Sequence, residues 1–258
     1  MGALFRVLIA VVALALSFDA QSAESEVGIV LMHGKWGGPS APPVQALATA
    51  LRARGFKVVT PNMPWSGKRM YDVDYPAALS EIDAATKTLR ENGAKRIIVA
   101  GHSFGANASI AYAASGREMD GVMAIAPGHV PDLVSFGASV ARARQMIAEG
   151  KADETAPFDD NNQGQNRTIN TTAKIYLSFF DPNGLGAMPK SAAAIPKPVP
   201  FLWVVGRQDR AMGYGENYVF NKVPKHASNK YLVVSADHRD TPEVAAPQIV
   251  EWIMSLGY

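Results

Sequence analysis

Six short apolar runs, spread between residues 28 and 235 and separated by amphipathic stretches, constrain this chain more than any other feature. They are GIVLM (Gly28–Met32), FKVVT (Phe56–Thr60), RIIVA (Arg96–Ala100), GVMAIA (Gly121–Ala126), FLWVV (Phe201–Val205) and YLVVS (Tyr231–Ser235). Most are apolar at successive positions rather than alternate ones, the pattern of strands covered on both faces of a parallel sheet. The segments between them carry helical spacing. Leu79, Ile82 and Leu89 share a face, as do Ile249, Trp252, Ile253 and Leu256. Strands alternating with helices predict an α/β fold: a doubly wound, mostly parallel sheet of about six strands with helices on both faces. A chain of 258 residues suits one such domain and can bury its core without covalent staples.

The alternation breaks once, over about residues 129–197. A helical stretch (PDLVSFGASVARARQMIAEG) is followed by the polar KADETAPFDDNNQGQNRTINTT, the ambiguous apolar AKIYLSFF and the small-residue run GLGAMPKSAAAIPKP. A strand-to-strand connection needs far fewer residues, so this segment reads as an insertion that caps one end of the sheet.

The first 23 residues read differently from the rest. One positive charge at Arg6 precedes ten apolar residues, Val7 to Leu16, and then the small and polar SFDAQSAES. This is the layout of a secretory signal peptide cleaved between Ala20 and Ala23. The run is too short for a membrane span, which needs roughly 20 apolar residues. Residues 24–258 are therefore expected as the mature domain, exported to a periplasm or the exterior, with no integral membrane span. The absence of cysteine excludes disulfides, thiolate metal sites and a cysteine nucleophile, and fits bacterial export better than a disulfide-rich route. A net charge of +2 without a long basic run gives no reason to expect nucleic acid as a partner. The sequons at Asn107, Asn166 and Asn170 read as coincidental in that setting.

Gly101-His102-Ser103-Phe104-Gly105 stands directly after the third apolar run and before the helical FGANASIAYAAS. As a bare G-x-S-x-G pattern it arises by chance in about one such sequence in ten. Its setting between strand and helix is what a strained turn exposing a serine requires. A serine hydroxyl is a weak nucleophile without a base, and the base needs an orienting acid. Asp209 stands just past FLWVV, and His238 just past YLVVS, in the chain order serine, acid, histidine. Asp237 adjoins the histidine, and Asp181 in FFDPNG reads as a turn starter. Of the other histidines, His33 and His102 belong to other motifs, and His129 and His226 lie near other strands. No cluster has metal-ligand spacing, GKWGGPS lacks the full phosphate-loop pattern, and no cofactor is expected.

With these motifs in hand, the chain resembles the α/β-hydrolase-fold serine hydrolases, esterase- and lipase-like enzymes, over residues 24–258. His33-Gly34-Lys35-Trp36-Gly37, after the first strand, resembles their oxyanion loop, with the amides of Phe104 and Lys35 as donors and Trp36 as second choice. The Lys35 ammonium is expected to point to solvent. The chain departs from the family in beginning its sheet at the strand before this loop. The resemblance implies acyl transfer through Ser103, His238 and Asp209 on a small-molecule ester, with thioester and amide as alternatives. A non-catalytic binding protein on the same fold is the competing class, and the complete Ser103, Asp209 and His238 set speaks against it. Trp36, Met63 and Trp65, on loops after strands, are expected to line a substrate pocket.

Overall fold

In the computed structural model, which describes residues 25–134 and 136–258, each of the six apolar runs forms a strand. The expected signal peptide lies outside the described residues. The order begins β1 (Val27–Met32), α1 (Pro42–Arg52), β2 (Lys57–Val59), α2 (Tyr75–Glu91), β3 (Arg96–His102), α3 (Phe104–Ala114) and β4 (Gly121–Ile125). The segment between β4 and the fifth apolar run holds α4 (Gly137–Ala148), β5 (Thr155–Asn162), β6 (Gln165–Thr172), α5 (Ala173–Phe180) and α6 (Met188–Ala193). The chain then returns to the sheet with β7 (Phe201–Gly206) and β8 (Lys230–Val234), and closes with α7 (Thr241–Val244) and α8 (Ala246–Ser255).

The main sheet has the order β2-β1-β3-β4-β7-β8, and every neighbouring pair is parallel. All six strands therefore end at the same edge. The order reverses between β1 and β3, so a crevice opens there at the carboxyl ends, the usual ligand position in such sheets. Alternation along the strands separates two cores. Ile29, Leu31, Ile98 and Ala100 face α1 and α8, meeting Leu47, Leu51, Ile249 and Trp252. Val30, Met32 and Val99 face the other way, toward Leu79 and Ile82 of α2 and Ile110 of α3. Helix α3 is buried at every residue from Phe104 to Ala113, because α6 of the inserted segment covers its outer side.

The polar stretch 151–172, for which no element is expected from sequence, contains an antiparallel hairpin. Strands β5 and β6 pair from Thr155–Thr172 to Asn162–Gln165. They turn through Gln163 and Gly164, whose φ values of 51° and 81° match a two-residue hairpin turn. Along β5, Ala156, Phe158 and Asp160 alternate inward between exposed neighbours. This hairpin lies over the carboxyl-end edge, with its turn beside the residues that follow β3, β7 and β8.

Candidate active site

Ser103 occupies the junction of β3 and α3 with φ 57° and ψ −115°, a backbone conformation that costs an L-residue energy and persists only where its surroundings enforce it. The enforcement is local. A Cβ on Gly101 would stand 2.1 Å from the carbonyl carbon of Gly105, and one on Gly105 would stand 2.6 Å from the carbonyl oxygen of Met32. Only glycine lets strand, turn and helix approach so closely. The Ser103 amide donates to Ile125 O at 3.0 Å, and its carbonyl accepts from the amides of Ala106 and Gly128.

The residues after β7 and β8 meet beside it. His238 Nδ1 donates to Asp209 Oδ2 at 2.8 Å, and Asp209 Oδ1 accepts from the Ala211 amide at 3.0 Å. With its Nδ1 proton committed to the carboxylate, His238 keeps the lone pair of neutral Nε2 free. Ser103, Asp209 and His238 line one cavity of about 100 Å³. No hydrogen bond joins the Ser103 hydroxyl to His238 among the described residues, a spacing common before substrate arrives. The other carboxylates and histidines are occupied elsewhere. Exposed Asp237 accepts from the amides of Arg239 and Asp240, and Asp181 pairs with Arg144. His226 Nδ1 accepts from the Ser228 amide, outside this cavity. Buried His129 donates through Nε2 to Phe179 O and stacks on Phe104 with ring centres 4.0 Å apart. Burial holds its pKa well below the usual histidine range.

The loop after β1 abuts the serine: a Cβ on Gly34 would lie 3.0 Å from that of Ser103. The amides of Lys35 and Phe104 have no acceptor among the described residues, so both remain available. The Trp36 amide does not, because it donates to Trp65 O at 2.8 Å. Two further expectations are corrected. The Lys35 ammonium is buried rather than in solvent, donating to Asp160 Oδ1 at 2.5 Å and to Asn161 O at 2.9 Å. The inserted hairpin covers this loop and brings a carboxylate to it. Burial lowers the lysine's pKa, and the attraction of Asp160 opposes the shift.

The expected pocket wall of Trp36, Met63 and Trp65 is also absent from this cavity. Trp36 donates through Nε1 to Asp160 Oδ2 at 2.7 Å, under the Arg167 guanidinium. Met63 and Trp65 are fully buried and pack against the loop from below. The Met63 amide donates to His33 Nε2 at 3.0 Å, and Trp65 Nε1 donates to His33 O at 2.8 Å. The walls come instead from residues 127–130, Phe136, the hairpin residues 161–164 and Tyr214. Among the described residues, no group of three His, Asp or Glu side chains is arranged to hold a metal ion, and no helix is long and apolar enough to cross a membrane.

A sequence profile described as the alpha/beta hydrolase family matches residues 29–249. The chain belongs to the alpha/beta hydrolase family. No curated protein sequence matches this hydrolase. Solved structures similar to it include a monoacylglycerol lipase from Paleococcus ferrophilus, 22% identical, with a TM-score of 0.63 over 89% of this chain and 94% of that one. A thermostable carboxyl esterase from Bacillus coagulans is 17% identical, with a TM-score of 0.64 over 89% and 90% of the two chains. Est1E from Butyrivibrio proteoclasticus, solved with ferulic acid, is 17% identical, with a TM-score of 0.60 over 92% of each chain. At these identities the likeness to the hydrolase is one of fold.

Proposed function

We propose that this protein is a serine hydrolase that cleaves carboxylic esters of short acyl groups through an acyl-enzyme intermediate. The observation that carries the reading is the 2.8 Å contact between His238 Nδ1 and Asp209, in the same cavity as a serine held at φ 57°. In the proposed reaction His238 Nε2 takes the hydroxyl proton of Ser103 as Oγ attacks the ester carbonyl. The amides of Lys35 and Phe104 stabilise the tetrahedral oxyanion, and the start of α3 adds favourable potential for negative charge. Asp209 keeps the imidazole in the right tautomer and stabilises its protonated form. His238 then gives the proton to the departing alcohol. Water attacks the acyl-enzyme by the same route in reverse, releasing the acid and restoring Ser103.

The size of the cavity supports a short acyl group. About 100 Å³ is well under the roughly 300–1,000 Å³ of pockets that hold drug-sized ligands. The esterases and lipases among the structural neighbours agree with an ester rather than an amide. Two measurements on residues 24–258 test the reading. A fluorophosphonate should label Ser103 alone, and nitrophenyl esters should be hydrolysed with kcat/KM falling steeply beyond butyrate. Absence of labelling on folded protein, or labelling at another residue, removes the serine mechanism. A preference for long chains removes the short-acyl part only. Export through residues 1–23 belongs to the same proposal, and the N-terminus of exported protein should fall between Gln21 and Glu24.

A further inference from the structure

Asp160, on the inserted hairpin, is among the most completely partnered groups of this protein. Its side chain is buried, with Oδ1 accepting from Lys35 Nζ at 2.5 Å and from the Asn161 amide at 2.8 Å. Oδ2 accepts from Trp36 Nε1 at 2.7 Å and from the Tyr71 hydroxyl at 2.8 Å. Two of the four donors are consecutive residues of the loop that abuts Ser103. Asn162 of the same strand adds a third tie, its Nδ2 donating to Lys35 O at 3.2 Å. The loop is held from the other side as well: Gly34 O accepts from His33 Nδ1 and from the Gly37 amide, and the Trp36 amide donates to Trp65 O. The peptides on both sides of Lys35 are therefore fixed in orientation, while the Lys35 amide itself remains without an acceptor among the described residues.

A buried ion pair is a poor way to gain stability, since apolar residues of the same volume often serve as well. It is a good way to impose one geometry, because every donor around the carboxylate must be aimed at it. An apolar contact would hold the hairpin down but would not tie the Lys35 ammonium and the Trp36 indole to one point. We infer that Asp160 is the positioning residue of the oxyanion hole, through which the inserted hairpin aims the Lys35 amide at the carbonyl oxygen of a substrate bound on Ser103. The inference rests on the ester-hydrolase reading above, and it gives the insertion a part in the chemistry as well as in enclosing the cavity.

Asp160→Asn tests it, because the amide matches the volume but turns an N–H₂ toward groups that are all donors. Turnover of a short ester should fall about 10–100-fold, the cost of misplacing a reacting group by about 1 Å, with KM nearly unchanged. The inhibition constant of methylboronic acid, which forms a tetrahedral adduct on a serine hydroxyl, should rise by the factor by which kcat/KM falls. Inhibition by the product carboxylate should not change. Lys35→Met combined with Asp160→Asn removes both buried charges while the Asn Oδ1 still accepts from Trp36 Nε1 and the Tyr71 hydroxyl, so it covers the case in which Asp160→Asn alone fails to fold. It should melt above Asp160→Asn and show a loss of kcat of the same order. A folded variant with wild-type kcat, or a loss confined to KM, overturns the inference while wild-type hydrolysis and Ser103 labelling leave the enzyme reading standing. If wild-type protein neither hydrolyses esters nor labels, both fall together.

Discussion

His102 Nε2 donates to the backbone carbonyl of His238 at 2.9 Å, and the two imidazole centres lie 5.0 Å apart. The residue before the proposed nucleophile thus holds the backbone of the proposed base. The bond requires a proton on Nε2, and burial keeps the ring neutral by pushing its pKa down to about 3. His33 and His129 are also shifted downward by burial, so three neutral histidines surround one edge of the sheet.

These shifts predict an acid-labile fold, and the sign follows from proton uptake. Below about pH 6.5 the unfolded chain protonates these histidines, whereas folded His102 stays neutral until about pH 3. The unfolded state binds more protons across that window, so stability is complete above it and falls as pH drops from about 6.5 toward 3. The loss is at most about 1.4 kcal/mol per pH unit for each histidine. His102→Gln keeps a donor for the His238 carbonyl and removes one titration. Urea unfolding followed from neutral to about pH 4 should give a slope shallower by about one proton than in wild type. Parallel curves would contradict the assignment.

Gly128 supplies the space in which the Ser103 hydroxyl sits, since a Cβ there would stand 2.7 Å from Oγ. Gly128→Ala should leave the melting temperature within a few degrees and lower kcat/KM for short esters by about tenfold or more, because it displaces the reacting atom. The rate of fluorophosphonate labelling should fall in step. Unchanged turnover would mean that the hydroxyl reacts from another rotamer.

Asn107, one helical turn beyond Ser103, ties three elements together. Its Nδ2 donates to His129 O at 2.7 Å and to Gly186 O at 2.6 Å, while Oδ1 accepts from the Tyr75 hydroxyl at 2.5 Å. Asn107→Leu keeps the bulk and strands three buried polar groups, each costing about 1–3 kcal/mol. The variant should lose about 3 kcal/mol or more in chemical unfolding, and Tyr75→Phe clearly less. This amide is also too buried to carry a glycan, although it heads a sequon.

The sheet was legible because its strands are apolar on both faces, a pattern that parallel packing demands and few alternatives produce. Ser103 was legible because its turn needs glycine at two fixed positions. The hairpin was not, because its residues are mostly polar and only Ala156, Phe158 and Ile169 supply an apolar side. The alternation of Ala156, Phe158 and Asp160 could have signalled a strand with an inward carboxylate. What no local pattern holds is the distance between Asp160 and Lys35, since the contact joins residues 125 positions apart. The Lys35 ammonium and the Trp36 indole both turn to that carboxylate, so those two expectations failed together, whereas Met63 and Trp65 are taken up beneath the loop by His33.

The choice of acid is the sharpest remaining test of the site. Asp209 is nearly buried and gives one carboxylate oxygen to His238 and the other to the Ala211 amide, so its position is fixed at both ends. Asp209→Asn preserves that shape, but an amide N–H toward the ring favours the tautomer protonated on Nε2. His238 would then have no lone pair for the Ser103 proton, and turnover should fall by about 10⁴ while the protein stays folded. Asp237→Asn keeps an Oδ1 acceptor for the two exposed backbone amides and removes only a charge, and Asp181→Asn removes the charge partner of the exposed Arg144. Each should change turnover less than about tenfold, as expected of surface positions outside the reacting set. His238→Ala should match Ser103→Ala, because the residues of such a unit fail together. Steady-state kinetics on the five variants, with circular dichroism to verify folding, decides the matter. A crippled Asp181→Asn or Asp237→Asn beside a mild Asp209→Asn would move the acid elsewhere and leave Ser103 in place.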